Sequence, residues 1–241
     1  MKNIGCIREI HRYPVKSFGG EQLESCEVAP YGLYGDRSYA FIDETKQGWN
    51  QYVTARNIPK MLSFKAKLID EQAGSASPQV EVTGPTGRVH GWDEGLFEEI
   101  QALTRTKLTM KSYLPTNDEV LAVDEAHILI VTDRSLRALE QLWGSSVDPR
   151  RFRGNIVLTL QEDALEEDLW IGKTLRLGEA ELQVYSKCER CSIITLDPES
   201  QARDASLLKV VHQEMKLQFG LYAKVKQIGQ VRAGDQVWMI D

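Results

Sequence analysis

Short segments in which apolar and polar residues alternate recur along most of the chain, and this pattern limits the folds that it can adopt. Alternation with a period of two residues predicts β-strands that are buried on one face. Alternation predicts strands at residues 4–13, 23–28, 38–42, 64–69 and 80–82, and further strands are predicted at 128–131, 155–160, 175–177, 182–185, 223–225 and 236–240. Glycine, proline and aspartate separate many of these segments, so tight turns are expected between them.

Three segments instead repeat apolar residues at helical spacing. The first follows Asp93, a candidate N-cap, and the second starts after Thr132 and ends at Gly144, a residue type common just past helix ends. The third contains 207–215 and is predicted to stop near Gly220. Because strands outnumber helices, the predicted fold class is mainly β with a few helices (α+β), built as a β-barrel.

The length of 241 residues is compatible with one large β-rich domain or two interlocked smaller ones. The best candidate for a joint is the segment 114–118, which contains Pro115, Asn117 and Asp118. The predicted division is therefore 1–115 and 116–241. The segment 72–79 is rich in alanine, serine and glutamine and is predicted to be a surface loop.

The chain carries 35 acidic and 29 basic residues, a formal net charge of −6. This balance argues against extended nucleic acid as a partner, so any anionic ligand must be held by a local cluster of cations. The chain shows no apolar signal segment and no run of about 18 apolar residues of the kind that spans a membrane. With only four cysteines as well, we expect a cytoplasmic protein with free thiols and no membrane partner.

Cys188 and Cys191 form a Cys-x-x-Cys motif at the end of a predicted strand, next to Lys187 and Arg190. Nearby cations favour the thiolate, which attacks electrophiles and binds soft metals. Structural zinc needs four ligands and a redox motif needs a βαβ setting, and the cysteine and histidine spacing supports neither. On spacing alone, a functional thiol and a pair of buried cysteines without chemistry remain equal alternatives.

The densest positive run of the chain contains Arg150, Arg151 and Arg153. Because Phe152 and Gly154 alternate with the last two, Arg151 and Arg153 are predicted to point to one side, where they could hold a phosphate. A solvated basic loop is the alternative.

Two further segments combine cations with glycine. Lys16-Ser17 precedes two glycines and supplies donors to an anion, although a simple hairpin turn explains the glycines equally well. The glycine spacing of a Walker phosphate-binding loop is missing. Arg37 follows Asp36 at the start of a predicted strand, where a surface salt bridge of Asp36 is the alternative.

Taken together and in this order, these segments resemble the MOSC family, the molybdenum cofactor sulfurase C-terminal domain, preceded by its N-terminal β-barrel domain. The branch that they resemble most is the amidoxime-reducing one. The residues that carry the resemblance are 13–17 (Tyr-Pro-Val-Lys-Ser), 35–37 with 53–56, 151–156 (Arg-Phe-Arg-Gly-Asn-Ile), 190–191 with 195–199, and 219–235.

The resemblance implies a MOSC-type β-barrel interlocked with an N-terminal β-barrel-like domain, and a molybdenum–molybdopterin cofactor. In that family pattern Cys191 is the metal ligand and the catalytic residue, and Cys188 is a neighbour without an assigned role. The positions implied to bind the cofactor are Lys16, Ser17, Arg37, Thr132, Ser135, Arg151, Arg153, Asn155 and Arg190.

The function that the resemblance implies is an oxidoreductase that reduces N-hydroxylated small molecules such as hydroxylamines, amidoximes or N-hydroxylated bases. The substrate oxygen passes to the metal and leaves as water, with electrons from a separate electron-transfer protein or reductase.

The alternative function is a sulfur carrier or cofactor-handling protein in which Cys191 holds a persulfide or the cofactor. A third hypothesis is a barrel whose cofactor site has decayed. Pyridoxal phosphate is associated with the family through cysteine desulfurases, but no lysine here has a recognisable Schiff-base context.

Overall fold

The computed structural model of the chain describes residues 1–69, 78–113, 122 and 125–240. The predicted joint at 114–118 lies outside the described residues, as does the predicted surface loop at 72–79 apart from Pro78 and Gln79. The described residues form sixteen strands and three α-helices.

The strands in chain order are β1 (Lys2–Arg12), β2 (Glu21–Leu23), β3 (Ser25–Ala29), β4 (Gly32–Leu33), β5 (Tyr39–Ile42), β6 (Lys65–Leu68), β7 (Val80–Thr83), β8 (Val89–His90), β9 (Thr109–Ser112), β10 (Ile128–Thr132), β11 (Ile156–Leu160), β12 (Thr174–Leu177), β13 (Ala180–Glu189), β14 (Gln218–Gln227), β15 (Gly229–Arg232) and β16 (Gln236–Met239). The helices are α1 (Glu94–Gln101), α2 (Asp133–Trp143) and α3 (Ser206–Glu214). The predicted class, mainly β with a few helices, is confirmed.

Seven of the strands close into a barrel in the hydrogen-bonded order β11, β10, β14, β13, β12, β16 and β1, with β1 pairing back onto β11. The pairs are antiparallel except for β10 and β11, which run parallel and are connected through α2. Inward-facing apolar side chains such as Ile130, Trp170 and Leu182 are fully buried in its core, which supplies most of the stabilisation of such a barrel.

The barrel is closed by β1, the first strand of the chain, whereas the other six barrel strands all follow residue 127. β1 lies between β16 and β11, and β15 pairs with β3 in a separate sheet. The first and last parts of the chain are thus interlocked through backbone hydrogen bonds. The division at residue 115 stays a prediction, because that residue is outside the described part.

The N-terminal part forms the β5–β9 pair and the β6–β7–β8 sheet around a second core. In this core the ring of Phe18 lies 5.9 Å from that of Phe41 and 5.3 Å from that of Phe64, measured between centroids. Leu196, from the turn that follows β13, also packs into this core. The segment after the Cys-x-x-Cys motif is therefore held between the barrel and the N-terminal part.

The helix caps test the sequence predictions directly. The Asp93 carboxylate accepts a hydrogen bond from the Leu96 amide at 3.0 Å, and the predicted cap of α1 is confirmed. The predicted end of α2 at Gly144 is confirmed too, with that residue at φ +79°. The predicted end of the last helix near Gly220 is wrong. α3 stops at Glu214, because left-handed residues at 216–217 turn the chain into β14, which contains Gly220.

None of the helices in the described ranges is long and apolar enough to cross a membrane.

Candidate functional site

A cavity lies where the rim of the barrel meets the N-terminal part of the chain. Cys191 and six of the nine residues predicted to bind the cofactor line it: Lys16, Ser17, Arg37, Arg153, Asn155 and Arg190. These residues come from four separate segments, so only the folded chain brings them together. The wall also contains Thr54, Arg56 and Cys188, which were not among the predicted site residues.

The cavity is positively charged although the chain as a whole is acidic. Its described lining residues include five cationic side chains, those of Lys16, Arg37, Arg56, Arg153 and Arg190, and one carboxylate, that of Glu189. Converging guanidinium and ammonium groups are suited to an anionic ligand such as a phosphate. The expectation of a local cationic cluster in an acidic chain is met here.

Strained backbone conformations are concentrated at the wall of this cavity. Ser17, Arg37 and Arg153 have positive φ angles of 68°, 51° and 56°. They are three of only six non-glycine residues with this conformation among those described. A non-glycine residue in the left-handed region is held there by its surroundings, and such residues cluster at functional sites.

Asp36 connects several of the lining segments. Its carboxylate accepts hydrogen bonds from the backbone amide of Tyr13 at 2.7 Å and from Asn155 Nδ2 at 3.1 Å, and it also pairs with Arg37. Asp36 is only 3% exposed, so the alternative of a surface salt bridge is wrong. Sequence reasoning missed this residue, since nothing in a Gly-Asp-Arg turn indicates that the carboxylate is buried.

Asn155 lines the cavity with its hydrogen-bonding groups already in use. Besides Asp36, its Nδ2 donates to the carbonyl of His11 at 3.3 Å, while its Oδ1 accepts from the Leu129 amide at 3.1 Å. These contacts fix the start of β11 against β1 and β10. The structure therefore gives Asn155 a role in shaping the cavity, whereas its predicted contact with a cofactor stays a prediction.

The ring of Tyr13 contacts two guanidinium groups of the site. The centre of the Arg37 guanidinium lies 4.7 Å from the centroid of its ring, and that of Arg153 lies 4.2 Å away. Both distances are typical of cation–π contacts. Arg37 and Arg153 are also linked directly, because Arg37 Nη2 donates to the carbonyl of Arg153 at 3.1 Å.

Lys16 is buried at the cavity wall together with Ser17. Its ammonium group donates to the carbonyl of Ala122 at 2.8 Å and lies 4.0 Å above the ring of Trp49. These contacts fix the direction of the ammonium group at the cavity.

The Cys-x-x-Cys motif lies at the end of β13, as predicted. Cys188 is 1% exposed, whereas Cys191 is half-buried and precedes a one-turn 3-10 helix (Ser192–Thr195). Both thiols line the cavity and neither is part of a disulfide. Cys191 is thus the more accessible of the two.

Sequence reasoning placed both flanking cations, Lys187 and Arg190, beside the thiols, and the structure corrects this for Lys187 only. Arg190 Nη1 donates to the sulfur of Cys188 at 2.8 Å and Nη2 to the carbonyl of Phe152 at 2.9 Å. Lys187 instead pairs with Asp168, on the wall of another cavity. Side chains of adjacent strand residues point to opposite faces, so sequence neighbours of a cysteine need not touch its sulfur.

Arg151 lies outside the cavity, and its predicted alternation with Arg153 is wrong. Residues Pro149–Phe152 form a 3-10 helix and Arg153 is left-handed, so a period of two does not apply. Arg151 instead donates to the Asp197 carboxylate at 2.9 Å.

Thr132 and Ser135 also lie away from the cavity. The hydroxyls of both donate to the carboxylate of Glu167, Ser135 at 2.6 Å, and the hydroxyl of Thr132 caps α2. Their predicted cofactor contacts, like that of Arg151, stay predictions.

Two family models match the chain. Residues 4–89 match the MOSC N-terminal beta barrel domain, and residues 117–238 match the MOSC domain.

Individual relatives cover nearly the whole chain. The human mitochondrial amidoxime reducing component 2 is 28% identical over 99% of this chain and 84% of its own length. The mouse mitochondrial amidoxime-reducing component 1 is 24% identical over all of this chain and 84% of its own. A molybdenum cofactor sulfurase from Drosophila grimshawi is 26% identical over 87% of this chain but only 31% of its own length.

Among solved structures, the YuaD protein from Bacillus subtilis superposes with a TM-score of 0.50 at 12% identity. The match covers 97% of this chain and 94% of that one, and at this identity it concerns the fold alone.

Proposed function

Since the chain belongs to the MOSC domain family, we propose that it holds a molybdenum–pterin cofactor in the cationic cavity and reduces N-hydroxylated compounds with it. The observation that carries the proposal is the convergence of Cys191 with five cationic side chains on one cavity. The relatives named as amidoxime reducing components support the reaction class, because they align with almost the entire chain.

The residues of the cavity fit such a cofactor chemically. A half-buried thiol offers a soft ligand that suits molybdenum. The guanidinium of Arg190 is 6% exposed, and its Nε has no hydrogen-bond partner among the described residues. A buried donor without a partner is costly, so a ligand that accepts from it is favoured.

Within this proposal each side chain has a distinct task. Cys191 ligates the metal through its thiolate, and Lys16, Ser17, Arg37 and Arg153 bind the phosphate and pterin oxygens. Asp36 holds these groups in place from outside the cavity lining, and Asn155 holds them in place from the cavity wall. The cofactor, when bound, supplies the two-electron redox chemistry that no side chain of the protein provides.

The stoichiometry of the proposed reduction determines which reactants the protein needs besides the substrate. Removing the oxygen of an N–OH group as water consumes two electrons and two protons. We propose that a separate electron-transfer protein or reductase delivers the electrons, and that the reaction takes place in the cytoplasm.

The proposal is tested by elemental analysis of protein purified from a host that produces the cofactor. We expect near-stoichiometric molybdenum in the wild type, loss of the metal in Cys191→Ser, and wild-type content in Cys6→Ser, a free cysteine in β1 outside the cavity. Reduction of an aromatic amidoxime with an artificial electron donor then tests the activity. A protein that contains molybdenum but does not turn over the amidoxime would contradict the reductase assignment.

A sulfur-carrier function is the second candidate, favoured by the partial exposure of Cys191 and by the sulfurase among the relatives. It predicts protein without stoichiometric molybdenum that carries a cyanide-labile sulfur on Cys191. The same preparations of wild type and Cys191→Ser distinguish the two functions.

A further inference from the structure

A second cavity shares part of its wall with the candidate cofactor cavity. Arg153 and Ile193 line both of them, and Tyr13 lines only the second. Ile193 lies two residues after Cys191, so the shared wall is close in sequence to the proposed metal ligand. A ligand in this cavity is therefore placed next to the cofactor site without occupying it.

The charges at the second cavity are largely compensated. Arg150 pairs with Asp148 at 2.6 Å and with Glu199 at 2.5 Å, and Lys65 pairs with Glu199 at 3.3 Å. Hydrogen bonds from Arg150 and Lys65 hold the pKa of Glu199 below its usual range, so its carboxylate stays charged and neutralises them. Arg151, which also lines this cavity, pairs with Asp197 at 2.9 Å. Because most of its cations are paired with carboxylates, this cavity suits a ligand without net charge.

Apart from these charged groups, Arg153 and Tyr13, the wall of the second cavity is apolar. Leu62, Ile193, Leu196 and Pro198 contribute side chains, and Gly19 and Gly20 contribute backbone. A Cβ on Gly20 would clash with the carbonyl oxygen of Arg12 and lie 2.6 Å from Cδ1 of Tyr13, so only glycine fits there against the backbone and the tyrosine ring. Apolar walls with a few polar groups are typical of sites for small organic molecules.

One polar group of this wall has no partner. Tyr13 is 4% exposed, and its hydroxyl makes no hydrogen bond to any described residue. Burial raises the pKa of the phenol, although the nearby guanidinium groups of Arg153 and Arg37 oppose the shift, so the hydroxyl stays protonated and can donate. The cation–π contacts with Arg37 and Arg153 fix the ring. A rigidly held donor at an apolar wall favours a ligand with a matching acceptor oxygen.

We propose that the second cavity is the substrate pocket, that it takes an uncharged N-hydroxylated compound with a flat apolar body, and that Tyr13 donates a hydrogen bond to the N–O oxygen. The inference rests on the proposed function, because it assigns the substrate class to a pocket beside that cofactor site. Tyr13 is a substrate-binding residue in this assignment and contributes no ligand to the metal.

The test measures equilibrium binding of benzamidoxime to cofactor-loaded protein by titration calorimetry, with benzamidine, which lacks the N–O oxygen and is cationic, as the comparison ligand. Tyr13→Phe keeps the ring and its two cation–π contacts and removes only the hydroxyl. We expect about tenfold weaker binding of benzamidoxime, the change that one hydrogen bond of ordinary strength produces. Molybdenum content and kcat should be those of the wild type, while KM rises.

Tyr31→Phe is the matched control, because that tyrosine is equally buried but lines neither cavity. It should bind benzamidoxime as the wild type does. Pro198→Phe, at the half-buried edge of the pocket, should abolish binding and leave the molybdenum content unchanged.

Loss of molybdenum in Tyr13→Phe would overturn the inference by assigning the second cavity to the cofactor. Wild-type affinity in Tyr13→Phe would overturn it as well. If the wild type binds benzamidoxime through Tyr13 but does not reduce it, the pocket stands and the proposed reductase function fails, so the two outcomes are separable.

Discussion

Asn155 donates a hydrogen bond to the Asp36 carboxylate at 3.1 Å, although 119 residues separate the two in sequence. Asp36 follows β4, and Asn155 immediately precedes β11 of the barrel. With the contacts of Asp36 to Tyr13 and Arg37, this bond fixes the N-terminal segments of the cavity to the barrel. The buried carboxylate is therefore the point on which the geometry of the site depends.

Asp36→Asn is expected to destabilise the fold and to weaken cofactor retention. An amide cannot replace a carboxylate that accepts from three donors, and its own hydrogens would face those of Asn155. Breaking a buried ion pair from one side costs about 3 kcal/mol, which urea denaturation of the apo protein would show. Molybdenum content after dialysis should fall more than in the wild type.

Asp43→Asn provides the matched control, because Asp43 is also buried, but its carboxylate contacts Thr45 and Lys46, which do not line the cavity. It should retain molybdenum as the wild type does. If Asp36→Asn retained it equally well, Asp36 would be a purely structural residue.

The contact between Arg190 and Cys188 predicts a difference between two substitutions of this cysteine. Cys188→Ala leaves the buried Arg190 Nη1 without its acceptor, at a cost of about 2 kcal/mol in the free energy of unfolding. Cys188→Ser keeps an acceptor and should lose less than about 1 kcal/mol. Urea denaturation of both variants measures the difference, and equal losses would show that packing of the sulfur dominates.

Much of the fold is readable from the sequence where the signal is local. Asp93, Thr132 and Gly144 mark helix ends, because caps depend on residues within one turn of each other. The barrel strands are readable too, since β12 and β13 alternate between buried and more exposed residues and β10 is a short apolar run. The end of α3 was predicted wrongly because the left-handed residues at 216–217, which are not glycines, give no signal of a turn.

The site is only partly readable, because its contacts join distant segments. Lys16, Arg37, Arg153 and Cys191 carry motif-level signals and do line one cavity. The role of Asp36 could not be predicted, since it depends on Asn155 and on burial that only the folded chain creates.

Thr132→Ala distinguishes a capping role from the predicted cofactor contact. The Thr132 hydroxyl accepts from the Ser135 amide at 3.0 Å and donates to Glu167, and Thr132 does not line the cavity. Loss of an N-cap costs about 1 kcal/mol, so the thermal midpoint should fall while molybdenum content stays at the wild-type level. Thr132→Ser, which keeps the hydroxyl oxygen that caps the helix, is the control. Metal loss in Thr132→Ala but not in Thr132→Ser would instead support the cofactor contact.

His127 should make stability fall in mild acid. Burial, together with Lys224 nearby, lowers the pKa of its imidazole below the ordinary value of about 6.5, and Nδ1 accepts from the Val225 amide at 3.3 Å. As pH falls through 6.5, the unfolded chain binds the proton before the folded one does, so this contribution to stability is present above 6.5 and is lost below it. Because the ring is only half-buried, the loss should stay below about 1 kcal/mol.

Urea denaturation at pH 7.5 and 5.5 measures this loss as the difference between wild type and His127→Gln, which does not titrate. The wild type should lose more stability than the variant between these two pH values, and equal losses would show that His127 does not carry the effect.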